Sequence, residues 1–186
     1  NTKDSNVADR AEIIRQKGTN RSRFIRGEID KYSWIDVGSS YSPSDILMSL
    51  LYSQLLDADI ITGKREEIHK FYCEELKRYE DSGIIEIMKI PPECDPNYHL
   101  FYILLKNEAA KYEVMKKLNE KGIAAAFHFM PLHTSPMGIK LGYAEGCLPV
   151  TEKKSARLLR LPIYTDMTLM EMRYVIDNLK EILEEV

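Results

Sequence analysis

Apolar residues in this chain follow two periods. Those recurring every three or four positions predict helices, and those that alternate or cluster predict short strands. Residues 7–17 set Val7, Ala11 and Ile14 on one helical stripe, and Gly18 is placed to stop it. Ser42, Pro43 and Asp45 read as N-cap, first and third positions of another helix. Behind them Ile46, Leu47, Leu50, Leu51 and Leu55 form an apolar face wide enough to be buried. A long helix is predicted over 58–79, closed by Asp81, Ser82 and Gly83, with His69 on its charged, solvated side.

Strand patterns follow at 84–90 and 99–105, separated by a turn with Pro91, Pro92 and Pro96. Residues 109–121 predict a helix that turns Tyr112, Met115 and Leu118 inward, with Gly122 at its end, and a third strand runs over 123–130. Thr151 is read as the cap of a short helix reaching about Leu159 and stopped by Leu161 and Pro162. Thr168 and Glu171 form a capping box for a last helix to Val186, with Met170, Val175, Ile176, Leu179, Ile182 and Leu183 as its apolar face. The expected fold is α+β: a small three-stranded sheet, antiparallel or mixed, with helices packed on one side and a long linking helix at its start.

The chain has 186 residues, 44% apolar and 30% charged, which suits a globular protein with a proper core. A net charge of −3 does not advertise a nucleic-acid binder. No apolar run approaches bilayer length, so no membrane partner is expected. The polar stretch from Asn1 to Asn6 lacks the apolar core of a signal peptide. Three scattered cysteines without a C-x-x-C pair read as reduced thiols of a cytoplasmic protein. The first residue is Asn, and an amphipathic segment begins almost at once, which reads as part of a longer polypeptide.

Candidate chemistry gathers at Gly122–His133, where a strand turns at Pro131 between His128 and His133, with His99 on an earlier strand. That arrangement reads as the lip of a pocket. The two histidines are five apart and share no helix, so a metal site is not supported. No G-x-S-x-G elbow marks a nucleophile. Between Arg15 and Arg26 lie five basic residues and no acid, threaded with Gly18, Asn20 and Phe24. This loop is open to three readings: a salt-bridged surface, a nucleic-acid patch, or a site for a small polyanion. The acidic net charge and single aromatic weaken the second. Forked guanidiniums suit the third. Gly38-Ser39-Ser40-Tyr41 puts hydroxyls and amides before a helix N-terminus, either as plain capping or as a phosphate or carboxylate site.

The stretches RAEIIRQKGTNRSRF (10–24), DKYSWIDVGSSYSPSDI (30–46), HLFYILL (99–105), FHFMPLHTSPMGIKLGY (127–143) and SARLLRLPIYTDMT (155–168) jointly resemble the DegT-type sugar-nucleotide aminotransferases. These are pyridoxal phosphate (PLP) enzymes with the aspartate aminotransferase fold. KGTNRSRF and GSSYSPSD are most similar to the branch that makes dTDP-4-amino-4,6-dideoxygalactose. The resemblance implies that residues 1–56 end a large PLP domain with an interface helix, and that 57–186 form the C-terminal small domain. It places the Schiff-base lysine upstream, so no catalytic residue is expected here and the chain alone is expected to be inactive without bound cofactor. It implies substrate contacts from His128, His133, Asn20, Arg21, Arg23 and Tyr32, with Trp34 shaping the interface. The family's G-x-N-x-R is replaced by Gly38-Ser39-Ser40-Tyr41-Ser42, leaving Ser40 to serve the cofactor phosphate across a dimer interface. Implied partners are a dTDP-sugar, an amino-acid donor, most often glutamate, and a second copy in a homodimer. The rival expectation is a non-catalytic ligand-binding or interaction module.

Overall fold

The computed structural model describes residues 3–185, and the chain divides into two compact units, Asn1–Asp57 and Ala58–Val186. The polar opening at Asn1 and the predicted helix end at Val186 lie partly outside the described residues.

The first unit opens with α1 (Ser5–Arg15), capped by the Asp4 carboxylate, which accepts from the Asn6 amide at 2.9 Å. The helix stops two residues short of its expected end because Lys17 (φ 61°) and Gly18 (φ 76°) turn the backbone left-handed. The returning chain then pairs with the helix end. Ser39 donates to the Ile14 carbonyl at 2.9 Å, and Lys17 donates to the Ser39 carbonyl at 3.1 Å. A β-carbon on Gly18 would stand 1.7 Å from the Asp36 oxygen, and one on Gly38 would stand 2.2 Å from the Gly18 nitrogen. Two glycines therefore permit one close backbone crossing. The basic stretch, expected as a loop, contains a short helix α2 (Arg21–Ile25).

Helix α3 (Asp45–Leu56) starts two residues later than expected, with Ser44 rather than Ser42 as its cap. Its apolar face is not buried within this unit: Ile46 is 82% exposed and Leu50 57%. The sequence pattern records an apolar face and says nothing about what lies opposite it.

The second unit begins with α4 (Ala58–Asp81) and builds a four-stranded antiparallel sheet in the order β1-β2-β4-β3. The strands are β1 (Glu86–Ile87), β2 (Phe101–Leu104), β3 (Ala126–Phe127) and β4 (Leu158–Leu161). Three were expected. The fourth comes from Leu158–Leu161, which the pattern had assigned to a helix; that helix, α7 (Pro149–Arg157), ends first and has Leu148, not Thr151, at its cap position. Helix α5 (Glu108–Glu120) is capped by Asn107, whose side chain accepts from the Ala110 amide at 2.9 Å. A 3-10 turn at Leu132–Thr134 and α6 (Pro136–Lys140) follow β3, and α8 (Leu169–Leu183) opens on the expected Thr168–Glu171 capping box.

Register decides the core. Phe101 pairs with Leu161 and Ile103 with Leu159, and all four are essentially buried against Tyr72 and Leu76 of α4, Val114 and Leu118 of α5, and Ile176 and Leu179 of α8. Each such side chain contributes roughly 1.5–3 kcal/mol by leaving water. Two expected inward residues point out, since Tyr112 is 48% and Met170 81% exposed. On α5 the inward stripe runs through Lys111, Val114 and Leu118 instead.

His69, expected in solvent, is buried in α4, edge-on to the rings of Tyr98 and Phe101 with centroids 5.3 and 5.0 Å away. Among its neighbours the Cys73 sulfur lies 3.6 Å from Nδ1, and Nε2 finds no partner. Burial pushes its pKa below the ordinary 6.5.

Two outcomes follow. Gly18→Ala should destabilise the first unit by more than about 1 kcal/mol, read as lost amide dispersion for residues 14–40, and an unchanged spectrum would contradict the crossing. The unfolded chain binds a proton at His69 below pH 6.5 while the folded chain resists it, so stability should fall as pH drops through and below 6.5. The slope attributable to one such group is at most about 1.4 kcal/mol per pH unit, and His69→Leu should remove it from urea unfolding curves.

Candidate functional site

In the first unit the basic loop is partly neutralised by acids from outside its own sequence. Arg26 binds Glu12 at 2.8 Å and Glu28 at 2.6 Å, Arg23 binds Glu28 at 3.1 Å, and Arg10 pairs with Asp36. Hydrogen bonds from Arg26 and then Arg23 hold the Glu28 carboxyl below its ordinary range. Arg15, Lys17 and Arg21 remain exposed, with no ion pair among the described residues. Asn20 uses its side-chain oxygen to accept from the Ser33 amide at 2.8 Å, fixing the loop. Tyr32 is exposed and packs on Phe24, centroids 5.5 Å apart. Trp34 is 77% exposed and donates from Nε1 to the Asp36 carbonyl at 2.6 Å.

The 38–41 stretch is not an open nest of amides. Ser39 donates to Ile14, and Tyr41 donates to Arg15 at 3.2 Å. Ser40 lies exposed, in an isolated bridge with Gln16. Its hydroxyl is exposed together with those of Ser39 and Tyr41.

In the second unit the histidines separate. His128 is half-buried and lines a cavity of about 670 Å3 with Lys111, Tyr112, Glu145 and Lys153. His133 is buried, its Nε2 2.7 Å from Glu152 Oε1. The same carboxylate accepts from the Gly146 amide at 2.9 Å and the Leu148 amide at 3.4 Å. The bond to His133, then the two backbone amides, keep the Glu152 carboxyl below its ordinary range, against the opposing effect of burial. So His133 pins the turn that leads into α7, while His128 faces the cavity. His99 is exposed and remote from both, its Nδ1 2.6 Å from Asn97 Oδ1 beside His69.

Lys111 went unnoticed in the sequence. Its side chain is 4% exposed, its Nζ stands 3.6 Å from Glu108 and 4.3 Å above the Tyr112 ring, and it lines the His128 cavity. A lysine in step with Val114 and Leu118 on the apolar stripe was the available signal. Ammonium, imidazole and carboxylates on one cavity wall suit a polar, hydroxyl-bearing ligand. Among the described residues no three His, Cys, Asp or Glu side chains are placed to hold a metal.

The DegT/DnrJ/EryC1/StrS aminotransferase family matches residues 1–180. A protein of Methanocaldococcus jannaschii described as uncharacterized, MJ1066, is 31% identical over 99% of this chain and 49% of its own length. The UDP-4-amino-4,6-dideoxy-N-acetyl-beta-L-altrosamine transaminase of Campylobacter jejuni is 28% identical over 97% of this chain and 46% of its own. DesV of S. venezuelae, solved with a ketimine intermediate, superposes with a TM-score of 0.84 at 26% identity, over 100% of this chain and 46% of DesV.

The chain belongs to the DegT/DnrJ/EryC1/StrS aminotransferase family. The family is PLP-dependent, and the chain spans about half the length of the curated relatives it matches. A PLP site needs a lysine for the aldehyde, an acid for the pyridinium nitrogen and donors for the phosphate. Phosphate donors are present in the Ser40 hydroxyl and the unpaired Arg15 and Arg21, but the one buried lysine among the described residues, Lys111, is held against Glu108 on α5. The described residues do not by themselves fit the cofactor.

Glu152→Gln should keep an acceptor for the 146–148 amides and lose the charged bond to His133. Hydrogen-exchange protection of Gly146 and Leu148 should fall in the variant at neutral pH. In the native chain it should persist until pH drops through and below the ordinary carboxyl value of 4.5. Equal protection in both would contradict the clamp.

Proposed function

We propose that this chain is the C-terminal part of a PLP-dependent sugar-nucleotide aminotransferase. In the complete protein the Schiff-base lysine lies upstream, and this part contributes substrate-facing surfaces. The reaction is transfer of an amino group from an amino-acid donor, glutamate, to a dTDP-4-keto-6-deoxyhexose. Its place is cytoplasmic synthesis of precursors for surface polysaccharide or lipopolysaccharide. The observation that carries the reading is the family match through residues 1–180, across both units.

Within it the chain's own residues bind and orient. Arg15, Lys17 and Arg21 are cations left over for the diphosphate of a nucleotide sugar, since Arg23 and Arg26 are already neutralised. His128 and Lys111 face the cavity that suits sugar hydroxyls. His133 positions the neighbouring turn, and Tyr32 and Trp34 offer aromatic surface beside the cationic loop. Ser40 donates to the cofactor phosphate from a second copy in a homodimer, and the exposed leucines of α3 are the apolar surface that such a protein would cover. A dTDP-sugar is preferred on the KGTNRSRF and GSSYSPSD stretches, whereas the Campylobacter relative is named for a UDP-sugar.

The full-length product of the gene, given PLP, glutamate and the dTDP- and UDP-linked 4-keto-6-deoxyhexoses in turn, should form an amino sugar with the dTDP substrate. Product with UDP-sugars alone would overturn the nucleotide assignment. No amino transfer to any nucleotide keto sugar would overturn the reading itself.

A further inference from the structure

The sheet of the second unit has one face in the core and one facing away. Leu159 and Leu161 of β4 point inward, so Arg160 between them points to the opposite face, as does Tyr102 between Phe101 and Ile103. Arg160 and Tyr102 are paired directly across β2 and β4, which brings the β-carbons of such residues within about 4.5–5.5 Å. On its other side Arg160 is paired with Ala126, whose methyl group offers the guanidinium no hydrogen-bond partner.

Both side chains are half-buried, and neither is engaged. Arg160 Nε is buried with no hydrogen-bond partner, and no described carboxylate lies within 4.0 Å of the guanidinium. The Tyr102 hydroxyl likewise finds no partner among the described residues. Arg157, three positions earlier, shows the ordinary fate of an arginine here. Its Nε donates to the Leu105 carbonyl at 2.5 Å and its Nη2 to Glu86 at 2.7 Å. Burying a guanidinium N–H without an acceptor is costly, and a phenol beside it adds a donor and no counter-charge.

We propose that Arg160 and Tyr102 form an oxyanion-binding pair on the face of the sheet opposite the core, taking a carboxylate or phosphate of a small substrate. The planar fork of Arg160 accepts two oxygens, and the phenol donates to one of them. The transaminase reading offers two sources: the carboxylate of the amino-acid donor and the diphosphate of the nucleotide sugar. The choice of probes rests on that reading, whereas the pair itself rests on the geometry.

The test is a titration of the 15N-labelled 186-residue chain with inorganic pyrophosphate and, separately, L-glutamate, against sodium chloride at matched ionic strength. Saturable shifts of the Arg160 Nε–H and of the Tyr102 and Ala126 amides are expected with one probe, which identifies the source. Arg160→Gln should weaken that binding about tenfold or more, followed at the Ala126 amide, and Tyr102→Phe should weaken it less. No saturation with either probe, shifts matched by sodium chloride, or unaltered affinity in Arg160→Gln would overturn the pair. Should Arg160→Gln lose sheet amide dispersion, Tyr102→Phe decides, and unchanged binding there overturns it. Amino transfer by the full-length enzyme with a flat titration would remove the pair and leave the reading. Saturable binding without amino transfer would do the reverse.

Discussion

The pairing of β2 with β4 is the constraint on which the second unit depends. Phe101 opposite Leu161 and Ile103 opposite Leu159 commit one face to α4, α5 and α8. The same register leaves Tyr102 opposite Arg160 on the other face. A slip of one residue would send an arginine into the core and two leucines out of it, so the core and the donor pair are specified together. The helices reinforce this choice locally. Asn107 and Thr168 cap α5 and α8, and the stripes behind those caps meet the inward residues of both strands.

The first unit works differently. Among its described residues only Gly18 and Ser22 are buried, and its shape comes from backbone pairing around the Gly18–Gly38 crossing and from ion pairs. Arg26 bridges Glu12 and Glu28, which ties α1 to the segment after α2. Exposed pairs of this kind are each worth about 0–1 kcal/mol, so the glycine crossing matters more. That economy leaves Arg15, Lys17 and Arg21 uncommitted beside exposed aromatics.

Much of the fold could be read from periodicity. The extents of α4 and α5 were legible because each apolar segment runs into a terminal glycine, α8 because stripe and capping box agree, and β2 because FYIL follows a proline-rich turn. LLRL at 158–161 was not, since a short apolar run directly after a helix carries no period of its own, and with it the position of Arg160 was hidden. His69 sits among Glu66, Glu67 and Lys70, which masks a burial imposed by Tyr98 and Phe101 from distant sequence. The site was legible in part. His128 at a cavity was foreseen, but the partner that occupies His133, Glu152, is 19 residues away. The acids that quench Arg23 and Arg26 lie outside the basic run, so sequence charge overstated the free cations.

On the proposed reading the chain supplies recognition surfaces and the cofactor's covalent anchor lies elsewhere. Borohydride reduction of the full-length enzyme with PLP, followed by peptide mapping, tests this most directly. The phosphopyridoxyl group should fall on a lysine upstream of the sequence described, and none on residues 1–186. Recovery of the label on Lys111, or on any other lysine of this chain, would contradict it.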